Sequence, residues 1–248
     1  MSTPAPALST IDQRSPPSPQ TISVVVPCHN AAATIGSLLE ALAGQTMPPD
    51  EVIVVDDGST DETVGVVARA QSLLARLKIT TLKHRRRSIP ATLNAGIAAA
   101  TGGIIVRLDA HSVPDADYIE RAIAALRSTG AGVVGGRWRI RPGTSGAMAQ
   151  AIALAVSHPL GAGDAAYRLC HEGGTPRRVE TVPFGVFRRD VWLELGGFDE
   201  SLLANEDYEF NYRVRLSGRD VVLDPAIVSA YSSRPTLREL SRQYFRYG

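Results

Sequence analysis

The sequence contains little cysteine: two of its 248 residues, Cys28 and Cys170. They lie far apart and neither forms a C-x-x-C pair, which argues against a disulfide framework and against a zinc knuckle. Because cytosolic proteins keep their thiols reduced, we expect two free cysteines in a cytosolic protein.

Long apolar runs are missing as well. A membrane-spanning helix needs about 20 apolar residues, whereas the best candidate, residues 147–157, is shorter and contains Gln150. The first twenty residues carry five prolines and no apolar segment, so residues 1–20 read as a disordered lead-in and not as a signal peptide. We expect a chain that is not exported and does not span a membrane by itself.

Neither sign of charge is in excess, since 26 basic residues balance 25 acidic ones and the formal net charge is +1. This balance gives no general reason to expect nucleic acid as a partner. What the sequence does have is enough apolar material for a sizeable core, because 44% of its residues are hydrophobic. A chain of this length fits one large α/β domain, and a second full domain is not expected.

Short aliphatic runs alternate with helical patterns from Thr21 onward. Between the runs, apolar residues recur at i, i+3, i+4 and i+7, and residues 59–62 read Ser-Thr-Asp-Glu, the pattern of a capping box. The order predicts an open doubly wound, mostly parallel sheet, which binds ligands beyond the carboxyl ends of its strands. The continuous β-branched runs, typical of strands buried on both faces, occupy residues 22–27, 51–57, 78–84 and 103–110.

Polar clusters follow three of these predicted strands. They are "PCHN" at residues 27–30, "DDGSTD" at residues 56–61 and "DAH" at residues 109–111. Because the carboxyl ends of parallel strands share one edge of a sheet, we expect the three clusters to converge there. For Asp57-Gly58 taken alone, a tight turn is the alternative.

The loop after the first predicted strand, "PCHNAAAT", contains no glycine. A dinucleotide-binding fold needs G-x-G-x-x-G at this point, and the P-loop pattern G-x-x-x-x-G-K-[ST] occurs nowhere in the chain. If a nucleotide binds, side-chain carboxylates and a metal ion must therefore take the place of a glycine-rich loop.

The "DAH" motif offers two ligand types that a metal ion uses. Residues i and i+2 of an extended segment point to the same side, so Asp109 and His111 can reach one ion. A divalent cation there could bridge the two phosphates of a nucleotide diphosphate. The alternative is a solvated turn in which residues 112–115 open the next helix, and the motif alone leaves both interpretations open.

The second half of the chain contains "FRRDVWLELGGFDE" and "NEDYEF". Together with "VVVPCHN", "VIVVDDGSTDET" and "LNAGIAAATGGIIVRLDAH", these motifs resemble the family 2 glycosyltransferases of the GT-A fold, in that family's order and spacing. The similarity covers residues 21–248 and is greatest to exopolysaccharide enzymes of the succinoglycan glucosyltransferase type. It implies one GT-A domain over residues 21–233, with a Rossmann-like nucleotide-binding half and a C-terminal acceptor-side half.

The resemblance also implies roles for individual residues. Asp207, in "NED", matches the catalytic base, and Glu206 beside it would shape the acceptor side. Asp109 and His111 match the family's Asp-x-Asp metal and diphosphate motif, with His111 in place of the second carboxylate. An imidazole ligand favours Mn²⁺ over Mg²⁺, which prefers oxygen. The residues that would bind the nucleotide and its sugar are Pro27, His29, Asn30, Asp56, Asp57, Arg87, Asn94, Asp109 and Glu206.

The function that this resemblance implies is inverting transfer of a sugar from a UDP-sugar donor, with glucose as the expected sugar. The acceptor would be lipid-linked, or a growing exopolysaccharide or cell-surface glycan, at the inner face of the plasma membrane. A single displacement needs a general base and an electrophilic clamp but no enzyme nucleophile. Two alternatives are a non-catalytic sugar-nucleotide-binding or scaffold protein, and a sugar nucleotidyltransferase, which should carry a glycine-rich loop after the first strand.

The chain ends in a basic and aromatic segment, residues 234–248, which the spacing predicts to be helical. This pattern is typical of a helix that lies on a membrane of anionic lipid. The alternative is a helix that packs on the domain through its apolar face. That face would consist of Leu237, Leu240, Tyr244 and Tyr247, opposite Arg234, Arg238, Arg242 and Arg246.

Overall fold

The computed structural model describes residues 21–162 and 165–247, so the predicted lead-in over residues 1–20 lies outside the described residues. The strands, in chain order, are β1 (Ile22–Cys28), β2 (Glu51–Asp57), β3 (Ile79–His84), β4 (Ile104–Arg107), β5 (Ser112–Pro114), β6 (Val133–Arg141), β7 (Arg177–Arg178), β8 (Val186–Arg188) and β9 (Val221–Ser232). The helices are α1 (Ile35–Ala43), α2 (Thr63–Leu73), α3 (Ile89–Ala99), α4 (Tyr118–Thr129), α5 (Ala147–Ser157), α6 (Pro159–Ala162), α7 (Ala166–Leu169), α8 (Arg189–Glu194), α9 (Glu206–Leu216) and α10 (Leu237–Tyr247).

One mixed sheet joins these strands in the order β3, β2, β1, β4, β8, β6, β9, β5, and β7 pairs with β9. The first four strands in this order are parallel. Antiparallel pairings attach β8 to β4 and to β6, whereas β6 and β9 run parallel. All four predicted strands form, but the fourth is shorter than predicted, because β4 ends at Arg107 and not at Ala110. The carboxyl ends of β2, β1 and β4 therefore share one edge, as the sequence predicts.

Helices cover both faces of the sheet. On one face, Val24 and Val26 of β1 belong to the same buried cluster as Leu38 of α1. On the other face, Val25 belongs to a second cluster with Leu93 of α3. Successive residues of a strand point to opposite faces, so the continuous apolar run of β1 reflects two buried layers.

The predicted capping box is wrong. Helix α2 begins at Thr63, and the carboxylate of Asp61 accepts the Thr63 N–H at 3.0 Å. Ser59 is not available as a cap, because its Oγ accepts the Asn30 N–H at 2.9 Å. Ser59 therefore bonds to Asn30 in the loop after β1, and Asp61 takes the place of the predicted capping residue.

A buried carboxylate, Glu51, ties the start of β2 to β1 and to the loop after α3. Its Oε1 accepts hydrogen bonds from Ser23 Oγ at 2.6 Å, from Thr101 N at 2.6 Å and from Thr101 Oγ1 at 2.8 Å. Burial alone would raise the pKa of Glu51, but the Ser23 and Thr101 hydrogen bonds and the Lys78 charge outweigh burial and lower that pKa. The ionised form is therefore the one that the folded state stabilises.

We expect this carboxylate to make the fold acid-sensitive. A lowered folded-state pKa contributes stability above the unfolded value of 4.5, and this contribution is lost as the pH falls through the folded-state value. In urea unfolding at pH 7, Glu51→Gln should be about 2 kcal/mol less stable than the wild type. The difference should shrink steadily below pH 4.5. A constant difference would mean that Glu51 stabilises through shape and not through charge.

Candidate functional site

A cleft of about 360 Å³ opens at the carboxyl end of β2, within the size range of small-ligand sites. It is lined by Asp57, Gly58, Ser59, Thr60, Arg85 and Arg87. Two of the predicted nucleotide-binding residues, Asp57 and Arg87, therefore face one cleft. Arg87 adopts a left-handed backbone conformation, with φ of 51°.

Asp57 is buried at the base of this cleft. Its Oδ2 accepts the Ser88 N–H at 2.9 Å, and its Oδ1 lies 3.3 Å from His84 Nδ1. Burial on its own would raise the pKa of Asp57, but hydrogen bonds from the Arg87 backbone, from Thr92 and from Ser88, and then the His84 charge, lower it. Asp57 thus presents a fixed anionic acceptor.

The loop after β1 is fastened to the loop after β2. Asn30, also left-handed with φ of 51°, donates its N–H to Ser59 Oγ at 2.9 Å and accepts the Thr60 N–H on its Oδ1 at 2.8 Å. His29 Nδ1 donates to the Asp57 carbonyl at 3.0 Å.

The two remaining residues of these loops keep the same edge in place. Asp56 Oδ1 accepts the Ser59 N–H at 3.2 Å, and Pro27 pairs with Val55 within the sheet. The predicted loop residues after β1 and β2 are thus together at one edge. His29 and Asn30 are the exposed members.

Asn94 is predicted to bind the nucleotide, but it does not line the β2 cleft and its side chain makes contacts within the protein. Its Oδ1 accepts the Phe198 N–H at 2.8 Å and the Trp192 Nε1–H at 3.1 Å. Its Nδ2 donates to the Phe198 carbonyl at 2.8 Å and to Glu200 Oε1 at 3.1 Å. The amide therefore holds the "GGFDE" segment against α3 and has no donor left for a ligand.

The "DAH" motif is a turn and not the extended segment that the sequence suggests. β4 ends at Arg107, and the Asp109 carbonyl accepts the Ser112 N–H at 2.9 Å. The predicted alternative is also wrong, because Ser112–Pro114 forms β5 against β9 and the next helix begins only at Tyr118. Residues 112–114 are extended because they pair with residues 229–231 of β9.

Arg107 lies between three carboxylates with predicted roles: the base Asp207, the acceptor-side Glu206 and the metal ligand Asp109. Its Nη2 donates to Asp109 Oδ1 at 2.9 Å and to Glu206 Oε1 at 3.0 Å, and its Nη1 pairs with Asp207 Oδ2. The Arg107 side chain is 4% exposed, whereas those of Asp109 and Asp207 are 26% and 23% exposed. Strand β4 and the first turn of α9 are thus joined by one buried guanidinium.

Sequence reasoning missed Arg107. The signal for it was a charged residue inside the run "GIIVRLDA", where a strand buried on both faces admits charge only if it is paired. The two tryptophans, Trp138 and Trp192, are half-buried and buried in the structure. Trp138 stacks on Tyr231 with ring centroids 4.3 Å apart, and Tyr231 in turn meets the His111 ring edge at 5.8 Å.

Two side chains of this turn have the chemistry to hold a divalent ion. His111 is exposed, and the hydrogen bonds of the described residues use only the Oδ1 oxygen of Asp109. Within residues 21–162 and 165–247 no group of three or more His, Cys, Asp or Glu side chains could hold a metal. An oxygen and a nitrogen ligand fit an ion such as Mn²⁺ whose other ligands come from a diphosphate and from water.

Neither cysteine takes part in such a site. Both are free, as predicted. Burial, followed by the charges of Asp56, Asp61 and Asp57, raises the pKa of the Cys28 thiol to about 12.

In the described part of the chain, no helix has the length and apolar character that crossing a membrane requires.

Comparison with known proteins identifies a family. Residues 23–192 match the profile described as Glycosyl transferase family 2. The succinoglycan biosynthesis protein ExoA of Rhizobium meliloti is 31% identical over 91% of this chain and 67% of its own length. Glycosyltransferase AglE of Haloferax volcanii is 26% identical over 92% of this chain and 71% of its own length.

Solved structures agree on the fold. A mannosyltransferase of Pyrobaculum calidifontis, in complex with GDP-Man and Mn²⁺, superposes with a TM-score of 0.71 at 23% identity, covering 93% of this chain and 62% of that one. S. aureus TarS 1-349 in complex with UDP superposes with a TM-score of 0.64 at 20% identity, covering 87% of this chain and 61% of that one. The predicted GT-A fold is confirmed. This chain spans about two thirds of each of these proteins.

Proposed function

The chain belongs to glycosyl transferase family 2, and from this premise we propose that it is an inverting enzyme that moves a hexose from a UDP-sugar to a glycan or lipid-linked acceptor. That it is a glycosyltransferase, similar to the succinoglycan type, follows from the family match and the 31% identical relative. The donor, the acceptor, the metal and the inverting course are our proposals. Family membership decides against a nucleotidyltransferase.

The observation that carries the proposal is the meeting of Asp109 and Asp207 on one guanidinium, after the carboxyl end of β4. Residues nearly a hundred positions apart in sequence are thereby brought to the same edge of the sheet. One carries the carboxylate of the metal and diphosphate motif, and the other carries that of the predicted base. A donor bound in the cleft would present its diphosphate to the first and its anomeric carbon to the second.

The reaction that this arrangement suits is a single displacement. Asp207 accepts the proton of the acceptor hydroxyl while the hydroxyl oxygen attacks the anomeric carbon. The bond from that carbon to the diphosphate oxygen breaks, and its electron pair leaves with the diphosphate. Asp109 and His111 would hold a divalent ion, which when bound stabilises negative charge on the leaving diphosphate.

Asp57 and its cleft would orient the nucleoside. The fixed, ionised carboxylate of Asp57 can accept a hydrogen bond from a uracil N–H or from a ribose hydroxyl. Arg87 and Arg85, which line the same cleft, supply donors for phosphate oxygens. TarS with UDP-GlcNAc and the mannosyltransferase with GDP-Man are relatives in fold that carry nucleotide sugars, which supports a donor of this class.

A donor panel tests the proposal. UDP-glucose, other UDP-hexoses and GDP-mannose are incubated with the protein, Mn²⁺ and candidate acceptors, and the released nucleotide diphosphate is detected by luminescence. We expect release with a UDP-sugar that requires the acceptor and the metal. Metal-dependent binding of a nucleotide diphosphate without turnover on any donor would instead support the scaffold alternative.

His111 should set the metal preference. Replacing it by aspartate supplies the oxygen ligand that Mg²⁺ prefers, so the ratio of activity with Mn²⁺ to activity with Mg²⁺ should fall about tenfold. His158→Asp, which changes an exposed histidine beside α5, is the control and should leave the ratio unchanged. An unchanged ratio in His111→Asp would show that His111 is not a ligand.

We further propose that the protein contacts the inner face of the plasma membrane through residues 234–248. Helix α10 forms as predicted, and Leu240 lines a small cavity with Val156 and Tyr231, so part of the apolar face packs on the domain. Leu237 and Phe245 nevertheless remain 58% and 84% exposed. The side chains of residues 243, 244, 246 and 247 lie outside the described part.

Helices α5 and α6, which we call the apolar flank, also expose apolar side chains, and Val156 of α5 lines the same small cavity as Leu240 of α10. No Asp, Glu, Lys or Arg occurs between residues 142 and 163, and α5 and α6 expose Leu154 and Leu160 at 70% and 93%. An uncharged surface beside a basic helix suits a bilayer with anionic headgroups.

Vesicle flotation tests this contact. The protein should float with vesicles that contain about 30% anionic lipid, and removal of residues 234–248 should abolish most of the binding, with high salt weakening it. Leu73→Glu, at an exposed leucine of α2, serves as a control outside the flank. Equal recovery of the full and the shortened chain would end the membrane proposal.

A further inference from the structure

The geometry points to Arg107 as a positioning residue that holds the base and competes with the metal ion for Asp109. This inference rests on the proposed function. Arg107 binds all three carboxylates that sequence reasoning assigned to the reaction, namely Asp109, Glu206 and Asp207. No other cation pairs with these three carboxylates in the ion pairs of the described residues.

The Arg107 side chain is rigidly placed. It is 4% exposed, and its guanidinium lies 5.8 Å from the centre of the Phe184 ring. Its Nε is buried and has no hydrogen-bond partner within the part of the chain that the structure describes. The polar stabilisation of this guanidinium therefore comes from the carboxylates that it binds, and a flat fork with donors on both outer nitrogens suits several carboxylates at once.

These contacts link two parts of the site that the chain connects only distantly. Nη2 joins Asp109 after β4 to Glu206, which opens α9, and Nη1 holds the next residue, Asp207. The N-cap residue of α9, Asn205, is in the left-handed conformation and makes no side-chain capping bond. The guanidinium thus links the first turn of α9 directly to the "DAH" turn.

The same contacts set the charge that a metal ion meets. Counted by formal charge, the three carboxylates and the guanidinium sum to −2, which one divalent ion would balance. Arg107 also donates to the Asp109 carboxylate at 2.9 Å, so a metal ion must share its ligand with a positive neighbour. Removing Arg107 should therefore strengthen metal binding, because like charges repel, and should weaken catalysis, because the base is no longer held.

If Arg107 has this role, its removal should raise the affinity for Mn²⁺ and lower kcat. A purely structural role would not move the two quantities in opposite directions. Binding of Mn²⁺ alone is measured by electron paramagnetic resonance without substrate, and kcat is measured with the active donor. We expect Arg107→Met to bind Mn²⁺ about tenfold more tightly and to lose about 10²-fold or more in kcat. A damaged fold would weaken both. Arg139→Met, which breaks the pair with Asp115, is the control and should change neither.

Two further variants keep the inference falsifiable if Arg107→Met does not fold. Arg107→Lys retains the charge but not the fork, so Mn²⁺ affinity should stay near the wild-type value while kcat falls. In Arg107→Ala, added guanidinium ion should restore part of kcat and lower Mn²⁺ affinity again. Unchanged or weaker Mn²⁺ binding in the variants that lack the charge would overturn the inference. Failure of the proposed function would look different: the wild type would show no transfer, whatever its metal affinity.

Discussion

Asp207→Asn should lower kcat by about 10²–10⁴-fold while nucleotide binding is retained. The amide keeps the size of the side chain but cannot accept the proton of the acceptor hydroxyl. Asp207 is 23% exposed on the first turn of α9, so it can reach an acceptor, whereas it does not line the β2 cleft. Turnover is measured by nucleotide release and binding by calorimetry with UDP and Mn²⁺.

The neighbouring Glu209 provides the matched control for Asp207. It lies in the same turn and is 27% exposed, but it pairs with Arg213. Glu209→Gln removes the same charge from the same part of α9, so kcat should stay within about threefold of the wild-type value if proximity of charge is not the cause. Equal losses in the two variants would show that α9 needs its acidic first turn for the helix dipole and not for a base.

Asp109→Asn should have the second-largest effect. Unlike Asp207→Asn, it should weaken the binding of the metal ion and of the donor. The substitution replaces the anionic oxygen ligand of the metal by a neutral amide oxygen, which binds a divalent ion more weakly, so kcat/KM should fall by about 10²-fold or more, and Mn²⁺ should tighten UDP binding far less than in the wild type. The measurement is a titration with UDP at several Mn²⁺ concentrations. Asp207→Asn, by contrast, should leave this metal dependence intact.

The control for Asp109 is Asp115, which follows β5 and pairs with Arg139. Asp115→Asn changes the same functional group six positions further along the chain and should leave the Mn²⁺ dependence of UDP binding unaltered. If Asp109→Asn also leaves it unaltered, the ion is not held by the "DAH" turn. The proposed electrophilic clamp would then be wrong.

The arrangement of the sheet could be predicted because it depends on local patterns. The runs at β1 and β2 are mainly aliphatic and buried along almost their whole length, and the polar residues that end them lie at the edge where parallel strands must place ligands. The GT-A fold and the family followed from motifs in the chain. Long-range pairing decided what the patterns left open, and so residues 112–114 became a strand beside β9.

Single side chains of the site were harder to predict. Asn94 reads from sequence as a polar residue near the ligand edge, yet its partners Trp192, Phe198 and Glu200 follow about a hundred positions later. Arg107 reads as an interruption of a strand, and two of its three partners, Glu206 and Asp207, reach it only through the fold, about a hundred positions later. Such contacts depend on tertiary packing, which no local spacing encodes.

The stereochemistry of transfer tests the central claim most directly. With the donor that the panel identifies, the anomeric configuration of the new linkage in the transfer product is determined by proton NMR. The account predicts that an α-linked UDP-hexose gives only the β-linked product, because Asp207 activates the acceptor for one displacement from the opposite face. An α-linked product would contradict a single displacement and the assignment of Asp207 as its base.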